Sequence, residues 1–196
     1  MKKTIIKKYF MENSYILFYK AYRYYEKNQI EKSLYYIKKS LSIKPNYSHS
    51  IDLLKTIGIF LNDKEIVNEA IKLFISKKRI RQEELLSISS GYVFLEKYNR
   101  ASEYLKRVTG KKYRNKIIKI EANIASNKGN YEEALNILKE IGPLENNDDP
   151  YLLCEIGTYF LKIGKSQDAI EYLNKAKEKG KKIINDYVNQ LIEENY

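Results

Sequence analysis

Five segments of this chain carry a small residue followed at once by an apolar or polar one, and the small residues recur at a nearly constant interval. The segments contain Ser33, Ala70, Ala101, Ala134 and Ala169, spaced 37, 31, 33 and 35 residues apart. Four residues after each comes a large apolar side chain: Ile37, Phe74, Leu105, Leu138 and Leu173. Another small or apolar residue follows in four copies (Ser40, Val108, Ile141, Ala176), while Lys77 breaks the pattern in the second. Upstream of each lies a further row: Leu17, Ala21, Tyr24; Leu54, Gly58, Leu61; Leu85, Ser89, Tyr92; Ile118, Ala122, Ala125; and Leu153, Gly157, Phe160. Steps of three and four place each row on one face of a helix. The chain therefore reads as a two-helix unit repeated five times. One such pair cannot bury its apolar face alone, so neighbouring pairs must stack. The small residues let backbones approach, and the large ones fill the space opposite.

This pattern closely resembles the tetratricopeptide repeat, a helix–turn–helix unit of about 34 residues. Gly58 and Gly157 fall at the family's close-packing position, and Pro45 closes the first repeat where the family places a proline. The resemblance implies an all-α fold, a right-handed α-solenoid of about five tetratricopeptide-like repeats. The expected organisation is an extension over 1–13, then repeats at 14–47, 51–81, 82–114, 115–148 and 150–180 within an array over 14–180. Residues 48–50 are read as an insertion between the first two units. Over 181–196 a C-terminal capping helix is expected, because Ile183, Ile184, Tyr187, Val188, Leu191 and Ile192 share a stripe with polar residues opposite.

Composition removes most other classes. A single cysteine, Cys154, excludes an intrachain disulfide framework, and the lone His49 excludes a His-rich zinc site. Cys154 reads as a partly buried small residue and His49 as an exposed loop residue. The sequence has no phosphate-binding glycine loop, dinucleotide fingerprint or nucleophile elbow. The acidic run over 145–149 lacks the residue pattern of a calcium loop. No cofactor, metal or enzyme activity is expected. No stretch reaches the roughly 18–20 apolar residues of a membrane span. Lys7 and Lys8 interrupt the only stretch that begins like a secretory signal, so a cytoplasmic protein is the expectation.

The net charge is +11, from 36 basic and 25 acidic residues. Thirty of the basic residues are Lys, and the Lys-, Ile-, Asn- and Tyr-rich composition is one that AT-rich codons also favour. The excess is uneven: residues 1–114 carry 25 basic and 11 acidic groups, whereas 115–196 carry 11 and 14. Electrostatic steering should favour the N-terminal half.

In the family resembled, the first helix of each repeat lines a concave groove that holds a protein or peptide partner. The residues expected there are Tyr15, Phe18, Tyr22 and Tyr25, with Tyr19 beside them, forming either an exposed groove or a row that residues 1–13 fold back over and cover. Leu17, Ala21 and Tyr24 would form the packing face. Tyrosine suits recognition because it offers area and a hydroxyl on few rotors. Lys55, Lys116 and Lys119 are expected to select charge. Lys119 with Asn123 resembles part of the family's carboxylate clamp, whose other residues do not follow. The rival is a nucleic-acid-associated repeat protein using Lys77, Lys78, Arg79 and Arg81, Lys106 and Arg107, and Lys111, Lys112 and Arg114. No specific nucleic-acid motif supports it.

Overall fold

The structure is a computed structural model that describes the backbone over residues 13–195 and side-chain surroundings over 13–193. The described residues form eleven α-helices, with no strand among them. They run α1 (Ser14–Glu26), α2 (Ile30–Ile43), α3 (Ser48–Phe60), α4 (Lys64–Ile75), α5 (Gln82–Phe94), α6 (Tyr98–Leu105), α7 (Arg114–Asn127), α8 (Tyr131–Leu138), α9 (Pro150–Lys162), α10 (Ser166–Lys179) and α11 (Lys182–Asn195). Short 3-10 turns precede α7 and follow α8. The chain divides into two compact units, one ending at Arg79 and one beginning at Ile80.

Both units obey one packing rule. Helices pair in sequence as α1 with α2, α3 with α4, α5 with α6, α7 with α8 and α9 with α10. The five small residues are fully buried at the pair interfaces, and the large residue four positions on is buried in every copy. Two serines complete their pairs by hydrogen bonding: Ser33 Oγ donates to the Ala21 carbonyl, and Ser89 Oγ to the Ala101 carbonyl, each at 2.8 Å. At Gly58 an added Cβ would meet Val67 Cγ2 at 2.8 Å; at Gly157 it would meet Leu173 Cγ at 2.8 Å. Only glycine allows these two approaches.

The repeat is also written in the turns. Asn28, Asn62, Glu96, Gly129 and Gly164 all have positive φ, at 55°, 54°, 59°, 86° and 78°. They stand 34, 34, 33 and 35 residues apart, one in each turn inside a helix pair. Glycine and asparagine adopt this conformation readily; Glu96 does so against its side chain. Three helix starts are capped by an Asn or Asp side chain. Asn13 Oδ1 accepts from Tyr15 N–H, Asp63 Oδ1 from the Glu65 and Ile66 N–H groups, and Asp149 Oδ1 from Tyr151 N–H ahead of Pro150.

Some expectations need correction. Residues 48–50 are not an insertion but the first turn of α3, which starts 34 residues after α1 and has the same 13 residues. His49 is accordingly helical, though exposed as expected. Leu61 is exposed at the end of α3 rather than packed. In α11 the apolar stripe does turn inward: Ile183, Ile184 and Val188 are buried and the helix packs on α9 and α10, while Tyr187 stays exposed. Most of the expected extension, residues 1–12, lies outside the described residues.

Candidate functional site

Two faces hold the side chains of interest, one in each unit. In the first unit, α1 turns a row of rings outward. Tyr15 is 58% exposed and Tyr22 40%, with Tyr19 also exposed between them. The rings brace one another: Tyr15 stacks on Tyr19 at 6.5 Å, and Phe18 lies 6.1 Å from Tyr22. Phe18 also reaches α3, meeting Tyr47 edge-on at 6.0 Å and His49 at 5.4 Å. Lys44 sits 5.5 Å over the Tyr47 ring, and Lys77 Nζ donates to Ser48 Oγ at 2.7 Å. Burial of the Tyr47 hydroxyl, and then nearby Tyr15, pushes its pKa above the usual phenol range. Sequence reasoning missed Tyr47 and His49, because Tyr47 read as the end of the first repeat and residues 48–50 as an insertion.

Two expected groove residues in this unit are misplaced. Tyr25 is 6% exposed, so it leaves the outward row. It continues the line Leu17–Ala21–Tyr25, four residues per step, which faces the core. Tyr24 instead is half-buried and stacks on Tyr36 of α2 at 5.4 Å. Lys55 is likewise buried, at 8%, and its ammonium pairs with Asp52 at 3.1 Å one turn back. It is not presented to solvent as a charge selector.

The second face lies between α7 and α9. Lys119 Nζ meets Asp149 Oδ2 at 2.5 Å, and Tyr159 Oη donates to Asn123 Oδ1 at 2.6 Å. Glu155 feels Lys119, Asn123 and Asp149. Burial pushes its carboxyl up to about 7, Lys119 and a hydrogen bond from Asn123 pull it down, and Asp149 adds to the rise. Tyr159 is raised by burial and then by Glu155. Thus Lys119 and Asn123 are brought together as their spacing suggested, but this chain's own groups already occupy them. Lys116 is exposed on the same helix. Cys154 is buried, and burial pushes its thiol up to about 12, leaving it inert as a nucleophile near neutral pH.

Among the described residues, no group of three or more His, Cys, Asp or Glu is placed to hold a metal. No helix among them is long and apolar enough to cross a membrane.

Solved structures with the same helix-pair arrangement provide the comparison. A tetratricopeptide repeat protein from Parabacteroides merdae superposes with a TM-score of 0.69 at 16% identity, over 95% of this chain and 73% of that one. The Cut9–Hcn1 hetero-tetramer of the APC/C gives 0.54 at 16% identity, over 89% of this chain and 35% of the other. The MamA protein gives 0.51 at 18% identity, over 85% and 91%. No family model and no curated protein matches the chain in sequence.

Proposed function

Since this chain has the tetratricopeptide-repeat fold, we propose that it is a protein–protein interaction scaffold whose first-helix face holds a segment of a partner. The observation that carries this reading is the ring cluster of the first unit. Tyr15, Phe18, Tyr19 and Tyr22 of α1 join Tyr47 and His49 beside them, with three of the tyrosines left open to solvent. Large aromatic side chains that are braced before binding lose little freedom when a partner covers them. Packing alone does not account for the outward rings, since α1 buries a different row, Leu17, Ala21 and Tyr25. Repeat arrays bind extended partners across several units, and the repeat limits proposed for this chain are those given above, 14–47 to 150–180. The Cut9–Hcn1 structure, a hetero-tetramer, is consistent with this use of the fold.

Lys116 stays in this proposal as an exposed contact. Lys119 and Asn123 belong to it only if a partner displaces Asp149. Cytoplasmic residence, an adaptor role and the absence of catalysis are parts of the same reading.

The test is affinity capture from nuclease-treated source lysate, comparing wild type with a Tyr15/Phe18/Tyr22→Ala variant of unchanged helicity. The proposal expects a protein that wild type retains and the variant loses. Equal capture by both, or recovery of nucleic acid alone in a salt-sensitive manner when nuclease is omitted, would overturn it in favour of the basic nucleic-acid reading.

A further inference from the structure

The charge of this chain is concentrated where the rings are. Up to Arg79 it carries 17 basic and 7 acidic groups; from Ile80 onward it carries 19 and 18. Among the residues with described side chains, 13–79 carry 13 basic and 6 acidic groups and 80–193 carry 19 and 17, so the excess lies in the first unit. Along the ring row the bias is the same: α1 carries Lys20 and Arg23, and its one carboxylate, Glu26, is its last residue, beyond the rings. At the other edge of the cluster, Lys44 lies over Tyr47 and Lys77 reaches Ser48 beside it. Asp52, the acidic residue of α3, is paired with Lys55, and Asp63 is taken up in starting α4.

The rings themselves favour one kind of anion. Phe18 is packed by Tyr22, Tyr47 and His49, so the ring at the centre of the cluster is largely enclosed by its neighbours. Stacking of bases on single-stranded nucleic acid needs open ring faces. A carboxylate needs hydroxyl and ammonium donors, and short O–H···O⁻ bonds are among the stronger ones. The chain shows that chemistry once within itself. In the second unit Tyr113 Oη donates to Glu83 Oε1 at 2.6 Å, with Lys112 Nζ 4.0 Å from the same oxygen. The Tyr113 hydrogen bond is the main reason that Glu83 stays below the usual carboxylate range.

We propose that the ring face of the first unit takes an acidic segment of a protein partner, whose apolar side chains lie on Phe18, Tyr22 and Tyr47 while its carboxylates meet tyrosine hydroxyls and the ammonium and guanidinium groups of Lys44 and Arg23. This inference rests on the groove reading above and adds the chemistry of the occupant. Rows of rings one helical turn apart, about 5.4 Å, suit side chains that recur along an extended strand or a helix turn.

The test uses two fluorescein-labelled peptides and the full chain. One peptide alternates Glu and Asp with Leu and Phe; the other replaces every Glu and Asp by Gln and Asn. Anisotropy titrations are run at low and high salt, with unlabelled oligo(dT) as competitor. The acidic peptide is expected to bind at least roughly tenfold more tightly than its amide twin and to weaken as salt rises. It should lose a similar factor with Tyr15/Phe18/Tyr22→Ala. The Arg23→Glu/Lys44→Glu variant, which leaves the rings in place, should lose the preference for acid over amide. Equal binding of the two peptides overturns the acidic inference and leaves the groove reading standing. Tight acidic-peptide binding that the ring variant does not reduce overturns both, because the contact then lies elsewhere on the basic surface. Failure of both peptides to bind overturns the inference. So does displacement by oligo(dT) at far lower concentration than by unlabelled acidic peptide, which assigns the face to nucleic acid.

Discussion

The two units are built by the same rule and finished differently. Up to Arg79 one buried lysine, Lys55 with its partner Asp52, stands beside a set of hydroxyls: Ser40 Oγ donates to the Ser14 carbonyl at 2.8 Å and lies 2.7 Å from Ser50 Oγ, and Ser33 bonds Ala21. Nothing in that set titrates near neutrality. From Ile80 onward the polar contacts are ionic: Arg81 with Glu84, Lys119 with Asp149, Lys175 with Glu171, and Lys179 with Asp148. Beside the Lys119–Asp149 pair, burial pushes the Glu155 carboxyl up to about 7. The first unit leaves its rings and most of its positive charge outside, whereas the second pairs more of its charges with one another, largely at the surface. The difference teaches that a shared backbone period does not assign a shared task. The period fixes which residues go inside, and the positions it leaves open decide what each unit can do.

The largest effects should be common to both units, because they probe the shared rule. Phe74→Ala in the first unit should cost about 3–5 kcal/mol and Leu138→Ala in the second about 2–5 kcal/mol, since both side chains are fully buried. Urea denaturation of each variant measures this; a cost under about 1 kcal/mol in either unit would break the idea of one rule.

Next in size is an effect confined to the second unit. Glu155 keeps its proton in the fold up to about 7, against 4.5 ordinarily. Below about 4.5 folded and unfolded chains both hold that proton, so its contribution is fully present. Between there and about 7 the unfolded chain releases it first, and stability falls as pH rises. At about 1.4 kcal/mol per pH unit, the loss amounts to at most about 3 kcal/mol. Glu155→Gln should therefore match wild type near pH 4.5 and exceed it above pH 7. The unfolding midpoints of both proteins across this range provide the measurement; parallel profiles would remove the contrast between the units.

Two smaller predictions sharpen the comparison. Gly58→Ala and Gly157→Ala should each cost about 1–3 kcal/mol, as the new methyl meets buried side chains on the facing helix. Glu96→Gly should stabilise by about 1 kcal/mol by relieving its positive φ. Asn62→Gly, at the matching turn of the first unit, should gain less, because asparagine tolerates that conformation. Thermal melts rank the four.

Much of this was legible from the residues. The small–large rows could be read because burial repeats every three or four positions, and a mean interval of 34 residues leaves little freedom in how pairs stack. Tyr24 and Tyr25 were exchanged because both lie within reach of the packing face. Which one goes under depends on α2, where Tyr36 takes the ring of Tyr24. Residues 48–50 could be read as turn or as helix, and the local sequence does not choose: α3 has no side-chain cap at its start. Their joining the helix is what brings His49 to Phe18. The partners of Lys119 and Asn123 lie 30 and 36 residues away, about one repeat on. Such pairs follow from the period only once the helices' rotation is known.

The central claim is that a partner lies on the first unit's ring face. Tyr22 and Tyr187 offer a direct test, since they are equally open, at 40% and 42%, one on α1 and the other on α11. A benzophenone photocrosslinker is placed at each position in turn, and the chain is irradiated in source lysate. The account predicts a discrete protein adduct from position 22 that the same label at 187 does not yield. The same adduct at both positions, or one at 187 alone, would contradict it.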